Sequence, residues 1–212
     1  MAIHDWEHVG QAARIVAGLA GSPEVAARWD DESACAGMTV GGLARHTAGQ
    51  IDNIARLLAQ EPTDLEPIAL LEHYRRAAWS NSSLDEEVNV AIRDTSNEEA
   101  EVGHAGVVSL MGEWSVALEA ALDGVVPDVI LIPWQGWALS AEDFLATRFM
   151  EMVVHADDLA SSVGLPTPDF PEAVVSETLR LLTAVAVDRH GQAAVVRALS
   201  RPQRAPASVS AF

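Results

Sequence analysis

The chain lacks several features that would tie it to a membrane or to an oxidising compartment. It has one cysteine, Cys35, so it cannot form an internal disulfide bond, and we expect a reducing, cytoplasmic setting. No run of 18 apolar residues occurs, so we expect no membrane span. The opening residues, MAIHDWEHVGQ, do not show a basic region followed by an apolar core, so we expect no signal peptide.

Basic residues are also scarce, and this makes the chain strongly acidic. There is no lysine, and 13 arginines stand against 31 acidic residues, for a net charge of −18. Such a surface repels phosphate backbones and anionic lipids, so we expect no nucleic-acid or membrane partner. Residues 189–212 are the exception, with four arginines and no acid. This basic tail either docks on the acidic body or brings an arginine to an anionic substrate.

Helical periodicity is what the sequence has in abundance. Apolar residues at spacings of three and four predict four long helices, at about 5–19, 39–58, 105–122 and 140–163. Thr39 and Ser140 are the expected N-caps of two of them. Shorter helices are expected at about 68–79, 171–189 and 192–200. The fold class is therefore all-α, a four-helix bundle (residues 1–165) with additional C-terminal helices (a helical extension and basic tail, 166–212).

Two connecting segments do not follow this periodicity. Val88, Val90 and Ile92 alternate within the acidic segment SLDEEVNVAIRDTSNEEAE, which we expect to form an irregular connection. The segment DVILIPWQGWAL is expected to be extended, because Pro133 and Gly136 would interrupt a helix. Its two tryptophans, Trp134 and Trp137, either line the mouth of a pocket or serve ordinary packing.

The predicted helix that starts at Ser140 carries an unusual polar stripe. Its polar residues are spaced three, four, three and four apart and therefore share one face: Arg148, Glu151, His155, Asp158 and Ser162. The remaining positions are mostly apolar, so the stripe is expected to be buried. Buried charges are unfavourable unless they are paired or bound to a metal.

The residues alone leave two interpretations of this stripe open. Arg148 and Glu151 could form a plain salt bridge while His155 bonds to a neighbouring helix. Alternatively, Glu151 and His155 could bind a divalent metal, since imidazole and carboxylate are good ligands for zinc and similar ions. His46, beside the apolar face of the second long helix, is either a surface residue or the third ligand.

Two segments resemble a known family. VGGLARHTAGQ (40–50) and RFMEMVVHADDLASSVGL (148–165) are similar to the motifs of the DinB-like superfamily, specifically the mycothiol-dependent maleylpyruvate isomerase N-terminal family. The resemblance covers roughly residues 5–165 and implies a metal-binding four-helix bundle with a long crossover connection. It implies His46, Glu151 and His155 as metal ligands and zinc as the metal, although two histidines and one carboxylate also suit iron(II) or nickel. It implies mycothiol, or another low-molecular-weight thiol, as the cosubstrate.

The resemblance also implies roles for two further residues. Asp158, one turn from His155, would accept the free ring N–H of that ligand and fix its tautomer. The adjacent Asp157 points elsewhere and would cap or pair. Arg148 is carried as an auxiliary catalytic candidate. A catalytic role for Cys35 is not expected, because the neighbouring acids would raise the pKa of its thiol.

The expected function is an enzyme that needs a metal and a low-molecular-weight thiol. It would transfer the thiol to a small electrophile or use the thiol to assist an isomerisation. Maleylpyruvate isomerisation itself is not expected, because members with that activity resemble two-domain proteins with a catalytic arginine in the second domain. Two alternatives remain: a metal-dependent hydrolase with activated water, using Asp158 or His104 as base, and a non-catalytic metal-binding or regulatory bundle. A homodimer is left open.

Overall fold

The computed structural model describes residues 6–212, and helices make up most of this part of the chain. The predicted all-α fold is confirmed. The α-helices are α1 Trp6–Ala20, α2 Pro23–Ala27, α3 Val40–Leu58, α4 Leu70–Arg76, α5 Ala78–Asn81, α6 Glu87–Glu99, α7 Gly103–Leu122, α8 Ala141–Val163, α9 Glu172–His190 and α10 Gln192–Ser200. Short 3-10 helices cover Ala100–Val102 and Pro202–Arg204, and an antiparallel hairpin pairs β1 (Val129–Ile132) with β2 (Trp137–Ser140). The first predicted helix was placed from Asp5, which lies outside the described residues.

Helices α1, α3, α7 and α8 pack together as a four-helix bundle. Their inward residues are fully or almost fully buried and form one apolar cluster that includes Val9 and Val16 of α1, Ile51 and Ile54 of α3, Leu118 of α7, and Phe144, Phe149 and Met152 of α8. A second cluster uses the opening turns of α3 and α7 and the last turns of α8, including Leu43, Met111 and Leu159. The chain crosses from α3 to α7 by the long segment that contains α4, α5 and α6.

The starts of α3 and α8 are fixed by the two side chains that the sequence predicted. Thr39 Oγ1 accepts a hydrogen bond from the Gly42 N–H at 2.9 Å, and Ser140 Oγ accepts one from the Asp143 N–H at 3.1 Å. Each of these bonds satisfies an N–H that has no partner within its own helix. At the other end of α8, Gly164 takes the left-handed conformation (φ 75°) that stops the helix. These residues fix where α3 and α8 begin and where α8 stops.

The prediction of an irregular connection at 83–101 was wrong, because residues 87–99 form α6. Val88, Ile92 and Ser96 are four residues apart, so they line one side of a helix as well as they fit a strand-like alternation. This side contacts α3, and Ser96 is buried there. Tertiary packing against α3 therefore decides the conformation of a segment that is otherwise acidic.

The helical stretch Glu87–Leu122 is, by length and composition, apolar enough to cross a membrane. Its most apolar window has a mean hydropathy of 1.3, and 17% of that window is buried. A helix of a water-soluble bundle can pass the same test, so one such stretch is weak evidence. The absence of a membrane partner stays a prediction.

Helix α9 packs against α8 of the bundle and against α4, and α10 packs on α9. Leu181 and Val185 of α9 form an apolar cluster with Ala146 and Met150 of α8, and with Tyr74 of α4. The basic tail then runs back to α4 and α5. There the Phe212 ring contacts the rings of Tyr74 and Trp79, with centroids 5.4 and 5.2 Å away.

Candidate metal centre

The three predicted metal ligands come together between α3 and α8. His46 lies in the second turn of α3, and Glu151 and His155 are one turn apart on α8. Glu151 Oε2 lies 3.6 Å from His46 Nε2 and 3.2 Å from His155 Nε2. The two imidazole rings meet edge to face, with centroids 5.0 Å apart. Glu151 Oε2 thus faces the Nε2 atom of each histidine.

The other nitrogen of each ring points away from this cluster and has its own partner. His155 Nδ1 lies 3.1 Å from Asp158 Oδ2, and His46 Nδ1 lies 3.4 Å from Ser96 Oγ. An outer partner of this kind fixes the ring orientation and leaves Nε2 free to coordinate an ion. Asp158 therefore occupies the position that the sequence predicted for it.

The donor set fits a divalent metal. Two imidazole nitrogens and one carboxylate oxygen, contributed by His46, His155 and Glu151, all lie within 4.8 Å of one another. All three side chains are mostly buried, with 14% to 24% of each exposed. Two nitrogens and one oxygen suit zinc, and three protein ligands leave a position for an exogenous group.

Charges within the cluster act on the acid–base properties of its members. Burial acts to raise the pKa of Glu151, but hydrogen bonds from His155 and His46 outweigh it and hold that pKa well below its usual value. Burial acts to lower the pKa of His155, but its hydrogen bonds to Asp158, Cys35 and Glu151 hold that pKa well above its usual value. Without an ion, the proton on His155 compensates the negative charge of the buried Glu151 carboxylate. A bound cation would compensate that charge in its place.

Comparison with known proteins identifies the family. The family model for the mycothiol maleylpyruvate isomerase N-terminal domain matches residues 9–160. The chain belongs to this family. A search of curated proteins and a search of solved structures each found no match. The resemblance inferred from two short motifs is thus confirmed over most of the bundle, and the family associates this bundle with metal binding and mycothiol.

Arg148 does not pair with Glu151 as one interpretation of the stripe supposed. Its guanidinium donates a hydrogen bond from Nη1 to Gln50 Oε1 at 2.5 Å and one from Nε to Thr147 Oγ1 at 3.0 Å. Among residues 6–212, no carboxylate forms a salt bridge with Arg148. Its positive charge lies close enough to Glu151 to help lower the pKa of that carboxyl. In this family member, a half-buried guanidinium therefore borders the cluster without being neutralised by it.

Cys35 borders the centre on its outer side, which the sequence did not predict. Its Sγ lies 3.5 Å from Asp158 Oδ2, the oxygen that also contacts His155. The loop that carries Cys35 is held on α8 by the Ala34 N–H, which donates to Ser162 Oγ at 2.8 Å. Ser162 was read as part of the polar stripe, but no sequence signal linked the stripe to this loop.

His73 of α4 is a second residue that the sequence did not single out. It is buried, and its Nδ1 accepts a hydrogen bond from the Trp137 indole N–H at 3.0 Å. Burial, assisted by the charge of Arg148 and opposed by that of Glu151, lowers its pKa to about 4. Trp137 therefore makes a hydrogen bond to a buried histidine, a contact that neither of the two predicted roles, lining a pocket mouth or ordinary packing, includes.

Other residues considered from the sequence lie elsewhere. His104 Nε2 is 3.1 Å from the Ala20 carbonyl oxygen, and its ring packs on Trp29. Asp157 accepts a hydrogen bond from Thr167, and Trp134 is largely exposed. None of these contacts joins the metal-ligand cluster. Arg189 of the basic tail donates to the Ser80 carbonyl, and its guanidinium lies 5.7 Å from the Phe212 ring.

Proposed function

We propose that the chain is a metal-dependent enzyme that uses a low-molecular-weight thiol, mycothiol, as cosubstrate. It would transfer the thiol to a small electrophile or use the thiol to assist an isomerisation. The observation that carries the proposal is the arrangement of His46, Glu151 and His155, whose facing atoms converge while the outer ring nitrogens are already engaged. Family membership supports mycothiol as the thiol.

The residues of the chain would divide the work as follows. Nε2 of His46, Nε2 of His155 and the Glu151 carboxylate would hold the ion, while Asp158 and Ser96 would keep the two rings in place. A bound divalent metal such as zinc supplies the positive charge that keeps a thiol ionised at neutral pH. Because no carboxylate among residues 6–212 neutralises it, Arg148 would attract an anionic group of the incoming molecule.

A hydrolase that activates water is not favoured by any contact in the site. Such an enzyme needs a free general base near the reacting water. Asp158 is engaged by His155 and Cys35, and His104 is bonded to the Ala20 carbonyl away from the cluster. A non-catalytic metal-binding bundle would use the same three ligands, but structural zinc sites usually have four protein ligands, whereas three ligands with a position left open are typical of catalytic sites.

Metal content is the first test of the ligand assignment. Purified protein reconstituted with zinc should contain about one equivalent, and H46A and H155A should each retain little, since each removes one of three ligands. The measurement is inductively coupled plasma mass spectrometry after exhaustive dialysis. H190A is the matched control, because His190 is exposed at the end of α9. Equal zinc in all four proteins would refute the site.

Thiol binding is the second test and separates the proposed enzyme from its alternatives. The cobalt-substituted protein should change its visible absorption when mycothiol is added. D158A, which removes the acceptor of the His155 Nδ1–H, should weaken metal affinity roughly 10- to 100-fold. If cobalt binds stoichiometrically but the absorption spectrum does not change on addition of mycothiol, the thiol part of the proposal is refuted and the metal site is retained.

A further inference from the structure

A second group of metal-ligating atoms lies on the outer side of His155. It consists of Cys35 Sγ, His155 Nδ1 and Asp158 Oδ2, and these three atoms all lie within 4.8 Å of one another. Thiolate sulfur, imidazole nitrogen and carboxylate oxygen are each ligands of divalent metals. The two nitrogens of the His155 ring therefore face two different sets of ligands: Nε2 faces the first centre, and Nδ1 faces this outer group.

The distances within the outer group match those of a tetrahedral metal site. Zn–S bonds of about 2.3 Å and Zn–N or Zn–O bonds of about 2.0 Å place sulfur roughly 3.5 Å and nitrogen roughly 3.3 Å from the oxygen ligand. Cys35 Sγ lies 3.5 Å from Asp158 Oδ2, and His155 Nδ1 lies 3.1 Å from the same oxygen. A larger ion needs these atoms to separate only slightly more. The side chains of His155 and Asp158 are 24% and 29% exposed, so an ion can reach them from solvent.

The loop that carries Cys35 is held on α8 at two points. The Ala34 N–H donates a hydrogen bond to Ser162 Oγ at 2.8 Å, and the Arg28 guanidinium donates one to the Ser162 carbonyl oxygen at 3.1 Å. These bonds place the Cys35 sulfur beside Asp158 before any ion binds. Ligands that are already in position lose less conformational entropy on binding.

We propose that Cys35, His155 and Asp158 form a second metal site, which takes a soft, thiophilic divalent ion. Its polarisable thiolate favours such ions, whereas the two nitrogens and one oxygen of the first centre suit zinc. The two sites are filled in alternation, because a neutral imidazole has only one unprotonated nitrogen. When an ion binds Nδ1, the Cys35 thiol releases its proton to solvent and the ring hydrogen of His155 resides on Nε2.

An ion in the outer site would disable the first centre, and this consequence alone rests on the function proposed above. With its hydrogen on Nε2, His155 is lost as a ligand there and donates to Glu151 instead. The outer ion is bound by the thiol of the chain itself, Cys35. In that state the protein lacks the three-ligand centre that is proposed to bind mycothiol, so a thiophilic ion would inhibit it.

Cadmium binding to H46A tests the outer site by itself, because His46 belongs only to the first centre. H46A should bind about one equivalent of cadmium and show the ultraviolet absorption of a cadmium–thiolate bond. Cys35 is the only cysteine of the chain, so no other residue can give this absorption. The double variant H46A/C35A should lose both the absorption and the cadmium. Absence of the absorption in H46A overturns the proposal.

Two further variants separate a three-ligand site from a single reactive thiol. H46A/D158A removes the carboxylate ligand and should raise the Kd for cadmium at least about 10-fold. H46A/D157A is the matched control, since Asp157 is the adjacent residue but accepts a hydrogen bond from Thr167 instead. Equal cadmium affinities in these two double variants would mean that Cys35 binds the ion alone, and they also overturn the proposal.

Nuclear magnetic resonance shows which nitrogen of His155 binds the ion. In H46A labelled with 15N at histidine and loaded with cadmium-113, the metal should couple to Nδ1 of His155. In C35A, where only the first centre is left, the coupling should be to Nε2 of both His46 and His155. Coupling to Nε2 of His155 in H46A contradicts the outer site.

Total metal content tests the alternation between the two sites. Wild-type protein incubated with zinc and cadmium together should hold about one ion in all, because both sites need His155. Two ions bound at once contradict the proposal. The proposed function fails separately: a wild-type protein that takes no zinc but binds cadmium through Cys35 refutes the first centre and supports the outer site. A wild-type protein that takes zinc, with no cadmium–thiolate absorption in H46A, refutes only the outer site.

Discussion

His73 makes the stability of the protein depend on pH in a way that one substitution can reveal. Its pKa is about 4 in the folded protein, against about 6.5 in an unfolded chain. The unfolded chain therefore binds the extra proton first, so stability is full above about pH 6.5 and falls as the pH drops toward 4. The loss amounts to about 3 kcal/mol.

The prediction compares wild-type protein with H73Q, both free of metal. Urea unfolding at several pH values between about 7 and 4 should show the wild type losing stability relative to H73Q by about 3 kcal/mol. Arg148 and Glu151, which act on the ring in opposite directions, are present in both proteins. Parallel stability curves would show that His73 is not held neutral by burial.

Individual residues also show how far the sequence could predict the site. Glu151, His155 and Asp158 lie on one helix, so their spacing alone placed them on one face. Cys35 and Ser96 reach the site from other segments, whose sequence shows no periodic pattern that relates them to the stripe. Cys35 contacts Asp158 across 123 positions of the chain, and Ser96 contacts His46 across 50. Local pattern carries no information about such pairings, which depend on how the helices pack.

Among the helices, α3 depends on a close approach that only glycine allows. A Cβ atom on Gly41 would lie 2.5 Å from Cε2 of Trp29, whose indole N–H is anchored on the Ala100 carbonyl. Moving the ring away from α3 would strain that bond. G41A should therefore destabilise the protein by about 2 kcal/mol, the typical cost of overpacking.

Thermal and urea unfolding of G41A test this, with G18A as the matched control. Gly18 lies in α1, and a Cβ there would meet nothing within 4 Å. G18A should leave stability unchanged or raise it by roughly 0.5–1 kcal/mol, because alanine favours helix more than glycine does. If both variants behave alike, the contact between Trp29 and α3 is looser than the structure indicates.

Element α6 shows why the rest of the fold was harder to predict. The caps of α3 and α8 were read from the sequence because Thr39 and Ser140 act within their own turns. By contrast, α6 begins without a side-chain cap and is stabilised by its contact with α3. One of its residues, Asn97, accepts from the backbone N–H of Thr39 and so joins α6 to the start of the helix that carries His46. The conformation of α6 therefore follows from tertiary packing, which a short segment of sequence does not encode.

For the whole molecule, the open question is whether residues 166–212 unfold with the bundle. The sequence divided the chain at residue 165, and this boundary stays a prediction. In the structure, Leu181 of α9 is fully buried in a cluster with Ala146 and Met150 of α8, the helix that also carries Glu151 and His155. A shared core of this kind predicts a single cooperative transition.

The variant L181A measures that coupling, and L179A on the same helix is its control. Leu181 is completely buried, so its truncation should cost roughly 2–5 kcal/mol. Leu179 is 56% exposed, so its truncation should change stability by less than about 0.5 kcal/mol. Calorimetry should show one transition, shifted down only in L181A, with zinc affinity lowered as the bundle loosens. A separate early transition, with the bundle and its zinc affinity unchanged, would instead make the C-terminal helices an independent unit.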